Sequence, residues 1–144
     1  MHVSQILSTK GADVHSISPS ATVNELVAQL NALRVGALIV NDASGVLVGI
    51  VSERDVVRGM ADDPSVGEMS VESIMTKEVV SIDPDCEVAD LARLMTEKRI
   101  RHVPVMDGDR NLVGLVSIGD VVKVRMDELE TERAALVEYI TQGG

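Results

Sequence analysis

Hydrophobic and polar positions follow two different periods along this chain. Residues 13–18 (DVHSIS) alternate between apolar and polar side chains and end at a proline, a pattern that predicts a short strand. Residues 20–34 instead place apolar side chains three or four positions apart, which predicts an amphipathic helix that Ser20 or Thr22 can cap. The strand pattern and the helix pattern recur together in the second half of the chain, beginning at Glu78.

Two apolar runs joined by a turn follow each predicted helix. In the first half these runs are 36–42 and 46–52, and in the second half they are 101–107 and 111–117. The Asp, Gly, Ser and Asn residues between the runs favour tight turns, so each pair predicts a β-hairpin. A segment with helical spacing then begins after a Ser in both halves, which gives the order β-α-β-β-α twice.

The two halves are copies of one sequence. At an offset of 65 residues, GIVSERDVV (49–57) matches GLVSIGDVV (114–122) without a gap. Upstream the offset becomes 68, so that VSQILSTK (3–10) aligns with VESIMTKE (71–78). We therefore divide the chain into four parts: a first repeat at 1–62, a linker at 63–67, a second repeat at 68–125, and a C-terminal helix and tail at 126–144.

Neither repeat is expected to fold alone, because three strands and two helices enclose too little core. Packing the two copies face to face solves this problem. The sequence therefore predicts an α/β (α+β) protein of two β-α-β-β-α repeats, related by pseudo-twofold symmetry with a cleft on either side, and followed by a C-terminal helix.

A longer helix is predicted after Lys123. Its apolar seam advances by alternating steps of four and three residues, and only an arginine interrupts it. The seam consists of Val122, Met126, Leu129, Arg133, Leu136 and Ile140. A seam this narrow indicates packing against a partner helix, for example from a second chain, or folding back onto the helix's own domain, and both interpretations stay open.

The composition narrows the classes of partner. The 144 residues carry a formal net charge of −10, with no Trp or Phe and one Tyr, which argues against nucleic acid as a partner, because its binding uses cationic surfaces and aromatic stacking. No apolar run is long enough to cross a bilayer, and the N-terminus does not resemble a signal peptide, so we expect a cytoplasmic protein without a membrane partner. Cys86 is the only cysteine and the three histidines are scattered, so neither an intrachain disulfide nor a metal site is expected.

In both copies a Ser is followed three residues later by an aspartate. These pairs are Ser52 with Asp55 and Ser117 with Asp120. One interpretation is a capping box, although capping boxes prefer Glu or Gln as the acid, and a Gly-containing run before each Ser would let another group approach the backbone. The other interpretation is a ribose phosphate site, because a helix N-terminus and a Ser hydroxyl attract phosphate, and an Asp can accept two hydrogen bonds from vicinal ribose hydroxyls.

These two segments, together with IRHVPVMD (100–107) and the repeated element order, resemble paired cystathionine β-synthase (CBS) domains, from about Val3 to Val124. The chain is similar to the regulatory modules of IMP dehydrogenase and of the γ subunit of AMP-activated protein kinase. Such pairs form pseudo-symmetric discs that often dimerise, and their clefts bind AMP, ADP, ATP, NAD or S-adenosylmethionine. By this resemblance, Asp55 and Asp120 would hold ribose hydroxyls, and the serine before each would contact ribose or phosphate.

The resemblance also implies which other residues line the clefts. It implies that backbone segments frame the adenine and that basic side chains reach the phosphates. The two copies differ at these positions: in the second copy, Arg101 and His102 stand in place of Gly36 and Ala37, and Gly119 stands in place of Arg54. The implied nucleotide-binding residues are Val14, Gly36, Ala37, Leu38, Ser52, Arg54, Asp55, Lys77, Val79, Arg101, His102, Val103, Pro104, Ser117 and Asp120.

The resemblance implies a stand-alone regulatory module for signal transduction, which binds an adenine nucleotide (AMP, ADP, ATP or NAD), uses no catalytic cofactor, and forms a homodimer. The alternative is a ligand-free interaction or dimerisation scaffold with the same fold. A third class, an enzyme acting on a nucleotide, is not expected, because the sequence offers no nucleophile–base pair and no metal ligand set.

Overall fold

Each copy of the repeat forms the centre of its own folding unit. The structure is a computed structural model that describes residues 1–11 and 13–143. One unit is Asp13–Val80, and the other combines Met1–Ala12 with Ser81–Gly144. In chain order the elements are α1 (Val3–Lys10), β1 (Ser16–Ile17), α2 (Val23–Leu33), β2 (Ala37–Asn41), β3 (Leu47–Ser52), α3 (Glu53–Asp62), two short 3-10 helices (Val66–Glu68 and Val71–Ser73), α4 (Val88–Lys98), β4 (His102–Met106), β5 (Leu112–Ser117) and α5 (Ile118–Gly143).

The unit formed by Asp13–Val80 is built on a three-stranded sheet in the order β1-β2-β3. β1 is parallel to β2, and β2 is antiparallel to β3 with Ala37 opposite Ser52. Thr22 caps α2, because its side chain accepts a 3.1 Å hydrogen bond from the Glu25 amide. The apolar faces of these elements meet in one core, whose buried members are Ile17, Leu26, Leu30, Leu38, Val40, Val51 and Val71.

The other unit uses the same hairpin and helix arrangement. β4 and β5 are antiparallel, with His102 opposite Ser117, which matches the first copy residue for residue at the offset of 65. Its core also takes in α1, which comes from the N-terminus and packs against β5. The buried members are Val3, Ile6, Leu7, Val88, Leu91, Met95, Val103, Val105, Val116 and Val121.

One predicted strand is wrong. The second copy's first strand, predicted at 78–83, is reduced to a single parallel bridge between Ile82 and Val105. In the first copy the Ile39 amide donates to the His15 carbonyl at 3.2 Å. The corresponding residue in the second copy is Pro104, which has no N–H, so this bond of the ladder cannot form.

The segment at 63–67, expected to be a linker, is ordered by local contacts. Asp63 Oδ1 accepts hydrogen bonds from the Ser65 amide (2.9 Å) and hydroxyl (2.7 Å), and a 3-10 helix starts at Val66. The Val66 side chain is buried.

α5 is one continuous helix that starts in the second repeat and runs through the predicted C-terminal helix. Among the described residues, α5 joins the hydrophobic core through Val121 and the partly buried Val124 near its start. The seam beyond them is exposed, with Met126 at 64%, Leu129 at 57% and Leu136 at 61%. The interpretation that this helix folds back onto its own domain is therefore wrong.

Candidate functional site

Ser52 and Asp55 form a reciprocal cap at the start of α3. Asp55 Oδ2 accepts hydrogen bonds from the Ser52 amide (2.9 Å) and hydroxyl (3.2 Å), and the Asp55 amide donates to Ser52 Oγ at 3.4 Å. This geometry is a capping box with Asp as the acid. The capping interpretation of the motif is therefore confirmed for this copy, and it leaves the ribose interpretation open.

Ser117 and Asp120 repeat this arrangement at the start of α5. The Ser117 amide and hydroxyl donate to Asp120 Oδ2 at 2.9 and 3.0 Å, and the Asp120 amide donates to Ser117 Oγ at 3.2 Å. In both copies the serine occupies only one oxygen of the carboxylate. Within the described residues, no hydrogen bond reaches Oδ1 of Asp55 or of Asp120.

The chain entering each central strand lies beside the cap. The Glu53 amide donates to the Gly36 carbonyl at 3.0 Å, and the Ile118 amide donates to the Arg101 carbonyl at 2.8 Å. The antiparallel hairpins also place Ala37 opposite the first serine. Each unit thus brings its strand entry, its serine and its aspartate close together.

The glycine in each hairpin serves packing within the protein. A Cβ on Gly49 would lie 2.8 Å from Met75 Sδ and 2.9 Å from the Thr76 carbonyl oxygen, and a Cβ on Gly114 would lie 2.5 Å from Leu7 Cδ2. The groups that approach these backbones are therefore the chain's own residues. The Gly-containing runs do let other groups approach closely, but those groups belong to the protein itself. The glycines therefore do not support the presence of a bound ligand.

Lys10 is a contact of the site that the sequence did not reveal. Its Nζ donates to Asp120 Oδ2 at 2.7 Å and to the Leu115 carbonyl at 2.9 Å. Burial raises the pKa of Asp120, but the hydrogen bond and charge of Lys10, together with the bonds from Ser117, outweigh it and leave this pKa below its ordinary value. The only sequence signal is the alignment of Lys10 with Glu78, which reverses a charge between the copies.

The remaining predicted residues divide by exposure. Ala37, Leu38, Val103 and Pro104 are buried, and Gly36, Val14, Val79 and His102 are partly buried. The cationic side chains of Arg54, Lys77 and Arg101 are exposed. Val14 precedes β1, and Lys77 and Val79 follow the 3-10 helices in the same unit. Their contacts with a nucleotide stay predictions.

Other chemistry finds no support in the described residues. No group of three or more His, Cys, Asp and Glu side chains there is placed to hold a metal ion. Burial raises the pKa of the Cys86 thiol, and the nearby carboxylates of Asp90, Asp83 and Glu87 raise it further, so this thiol is not acidified although it lies two residues before α4. Within the same residues, no helix has the length and apolar character that a membrane span requires.

The CBS domain family matches the chain at residues 3–62 and 71–127, which together cover most of its length. The chain belongs to the CBS-domain family and contains a pair of CBS repeats. The CBS domain-containing protein YhcV of Bacillus subtilis is 32% identical over 140 residues, which is 97% of this chain and 98% of YhcV. Inosine-5′-monophosphate dehydrogenase of Methanocaldococcus jannaschii is 32% identical over 113 residues, which is 78% of this chain but 22% of that enzyme.

Solved structures confirm the fold. The CBS-domain containing protein ATU1752 of Agrobacterium tumefaciens has a TM-score of 0.84 and 40% identity, with 86% of this chain and 92% of that chain covered. The CBS domain pair of MJ0100, in complex with 5′-methylthioadenosine and S-adenosyl-L-methionine, has a TM-score of 0.77 and 26% identity, with 89% and 98% covered. CBSX2 in complex with AMP has a TM-score of 0.69 and 28% identity, with 80% and 89% covered. CBS pairs similar to this chain therefore bind adenosine-containing ligands.

Proposed function

We propose that this chain is a regulatory module that binds an adenosine-containing nucleotide (AMP, ADP, ATP or NAD) through its two serine–aspartate caps. The observation that carries the proposal is the state of the two carboxylates. Each is fixed through Oδ2 by its own serine, while Oδ1 accepts no hydrogen bond from a described residue. A carboxylate held in this way can accept hydrogen bonds from ribose hydroxyls without moving.

The surroundings of the caps suit the rest of a nucleotide. The N-termini of α3 and α5 favour a phosphate through their helix dipoles. Arg54 next to the first aspartate and Arg101 beside the second cap add exposed positive charge. AMP bound to CBSX2, and 5′-methylthioadenosine and S-adenosyl-L-methionine bound to MJ0100, support an adenosine ligand here.

Calorimetric titration tests this function. Protein stripped of bound ligand is titrated with AMP, ADP, ATP and NAD, and the proposal predicts saturable binding of at least one of them, weakened about tenfold or more by Asp55→Ala or Asp120→Ala. Asp90→Ala is the matched control. Asp90 is also an aspartate in the first turn of a helix, but the N-cap residue of α4 makes no side-chain hydrogen bond to it.

The outcome of this titration also separates the two candidate functions. Folded, stripped protein that binds none of the four nucleotides would reject the sensor. It would favour the ligand-free scaffold, for which the capping hydrogen bonds alone account for the serine–aspartate pairs.

We also propose that the module forms a homodimer through the exposed seam of α5. The positions of the seam, apolar except for Arg133, alternate by four and three residues, which is the spacing of helices that pack in pairs, and no described residue covers them. Leu129→Glu should halve the mass measured by light scattering. Thr131→Glu adds the same charge away from the seam and should leave the mass unchanged. A wild-type monomer would contradict this proposal.

A further inference from the structure

The two candidate ribose-binding aspartates differ in one contact. Asp120 Oδ2 accepts a 2.7 Å hydrogen bond from the Lys10 ammonium in addition to its bonds from Ser117. Among the described residues, the Asp55 carboxylate accepts hydrogen bonds only from Ser52. The two copies of the cap are therefore alike in their serines and unlike in their charge partner.

The Lys10 ammonium is held in place by the fold. Lys10 is the last residue of α1, and its Nζ also donates to the Leu115 carbonyl in β5 at 2.9 Å. Val3 and Ile6 bury α1 in the core of the unit. The ion pair is partly shielded, since the side chain of Asp120 is 23% exposed and that of Lys10 is 37% exposed.

The difference in charge partner between the copies is visible in the alignment of the duplicated sequence. The offset of 68 aligns Leu7 with Met75, and each packs against the hairpin glycine of its own folding unit, Leu7 against Gly114 and Met75 against Gly49. The structure thus supports this alignment, although one segment is an α-helix and the other begins as a 3-10 helix. The same alignment places Glu78 where the second copy's site has Lys10, so the charge is reversed.

We propose that Lys10 is a specificity-determining residue that competes with the ribose for the Asp120 carboxylate. This inference rests on the proposed function. The ammonium takes one acceptor position and neutralises the charge that strengthens hydrogen bonds from ribose hydroxyls. A ribose must either displace Lys10 or accept a weaker partner, whereas no described residue competes in this way at Asp55. The Asp55 site is therefore the tighter site for an uncharged adenosine, and the Asp120 site is the weaker one.

The competition has a consequence for α1. Because linkage is reciprocal, a ligand that binds Asp120 better when Lys10 is released must also weaken the tie between Lys10 and the start of α5. Occupancy of the Asp120 site is thus coupled to the C-terminal end of α1.

Adenosine is the probe that isolates this effect. It carries no phosphate, so the loss of the lysine charge acts on it through Asp120 alone. In the Asp55→Asn background, adenosine binding is measured by calorimetry for Lys10 and for Lys10→Met. Lys98→Met is the matched control, because Lys98 is also a last-turn lysine of a helix in this unit, and no ion pair of it is found among the described residues.

The proposal predicts that Lys10→Met tightens adenosine binding about two- to fivefold, the range expected for a partly exposed ion pair. Lys98→Met should leave it unchanged, and in the presence of Asp120→Asn the effect of Lys10→Met should vanish. The Asp120 pKa, followed by carboxyl NMR without any ligand, should rise in Lys10→Met.

Three other results would each count against a part of the account. Adenosine binding that is unchanged or weaker in Lys10→Met would overturn the competition and leave the proposed function standing. An Asp120 pKa that does not move would show that the ion pair is not formed in solution, which also overturns it. If neither adenosine nor AMP binds the wild type or any variant, the proposed function fails and the inference fails with it.

Discussion

Alanine at the two hairpin glycines should destabilise the protein for two different reasons. At Gly114 a new Cβ would lie 2.5 Å from Leu7 Cδ2, far inside the ordinary contact distance, so a buried side chain must move. At Gly49 it would lie 2.9 Å from the Thr76 carbonyl oxygen, which accepts a 3.0 Å hydrogen bond from the Ile50 amide. There the backbone itself must shift.

Overpacking of this kind costs about 1–3 kcal/mol. For a chain of 144 residues, each kcal/mol corresponds to a fall of about 3 °C in the unfolding midpoint, so each variant should lose about 3–10 °C. Far-UV circular dichroism is the suitable signal for both thermal and urea unfolding, because the chain has no Trp and one Tyr. Gly108→Ala is the control, since a Cβ there would meet no atom within 4 Å and the change should stay within about 0.5 kcal/mol.

A double-mutant cycle separates the two reasons. Trimming Leu7 to Ala removes the atoms that Gly114→Ala meets, so the combined loss should be smaller than the sum by about 1 kcal/mol or more. Trimming Met75 to Ala leaves the Thr76 carbonyl in place, so it should relieve little of the cost of Gly49→Ala. Additive effects at Gly114 and Leu7, or alanine variants as stable as the wild type, would refute this packing.

Three further predictions concern the Ser52 cap, the Asp120 carboxylate and the Cys86 thiol. Ser52→Ala removes the side chain that caps α3 and should cost about 1 kcal/mol of unfolding free energy in urea. The pKa of Asp120 is lower in the folded protein than its ordinary value of 3.8, so its contacts stabilise the protein above that pH. This stability is lost as the pH falls through the folded pKa. Lys10→Met should therefore flatten the acid dependence of the unfolding free energy, measured by urea titrations below about pH 4. Cys86 should react with iodoacetamide at neutral pH more slowly than an unfolded peptide thiol, since its pKa is raised; an equal or faster rate would contradict its burial.

Local signals explain why much of the fold could be predicted from the sequence. The helix at Val23–Leu33 begins after Thr22, one of its two predicted caps, and the hairpins follow from apolar runs separated by turn residues. Asp42 holds its predicted turn by accepting from the amides of Ser44 and Val46. Such features depend on neighbours in the sequence, so pattern and propensity are sufficient to find them.

The features that sequence patterns miss depend on residues far apart in the chain. Lys10 and Asp120 are separated by 110 positions, and their contact requires α1 to pack against β5 first. The second copy loses its first strand because Pro104, which has no N–H, lies beside that segment in the fold. The Ser52–Asp55 capping box, by contrast, is a local feature that the sequence offered as one interpretation, and it forms although Asp is not the Glu or Gln that such boxes prefer.

The most direct test of the central claim compares AMP with 2′,3′-dideoxy-AMP, which lacks the hydroxyls assigned to Asp55 and Asp120. If the carboxylates hold the ribose, the wild type should bind the dideoxy analogue on the order of 10- to 100-fold more weakly, as expected for hydrogen bonds to a charged group. The Asp55→Ala/Asp120→Ala double variant should then bind both ligands with nearly equal, weak affinity. Equal binding of the two ligands by the wild type would contradict the ribose role of the aspartates.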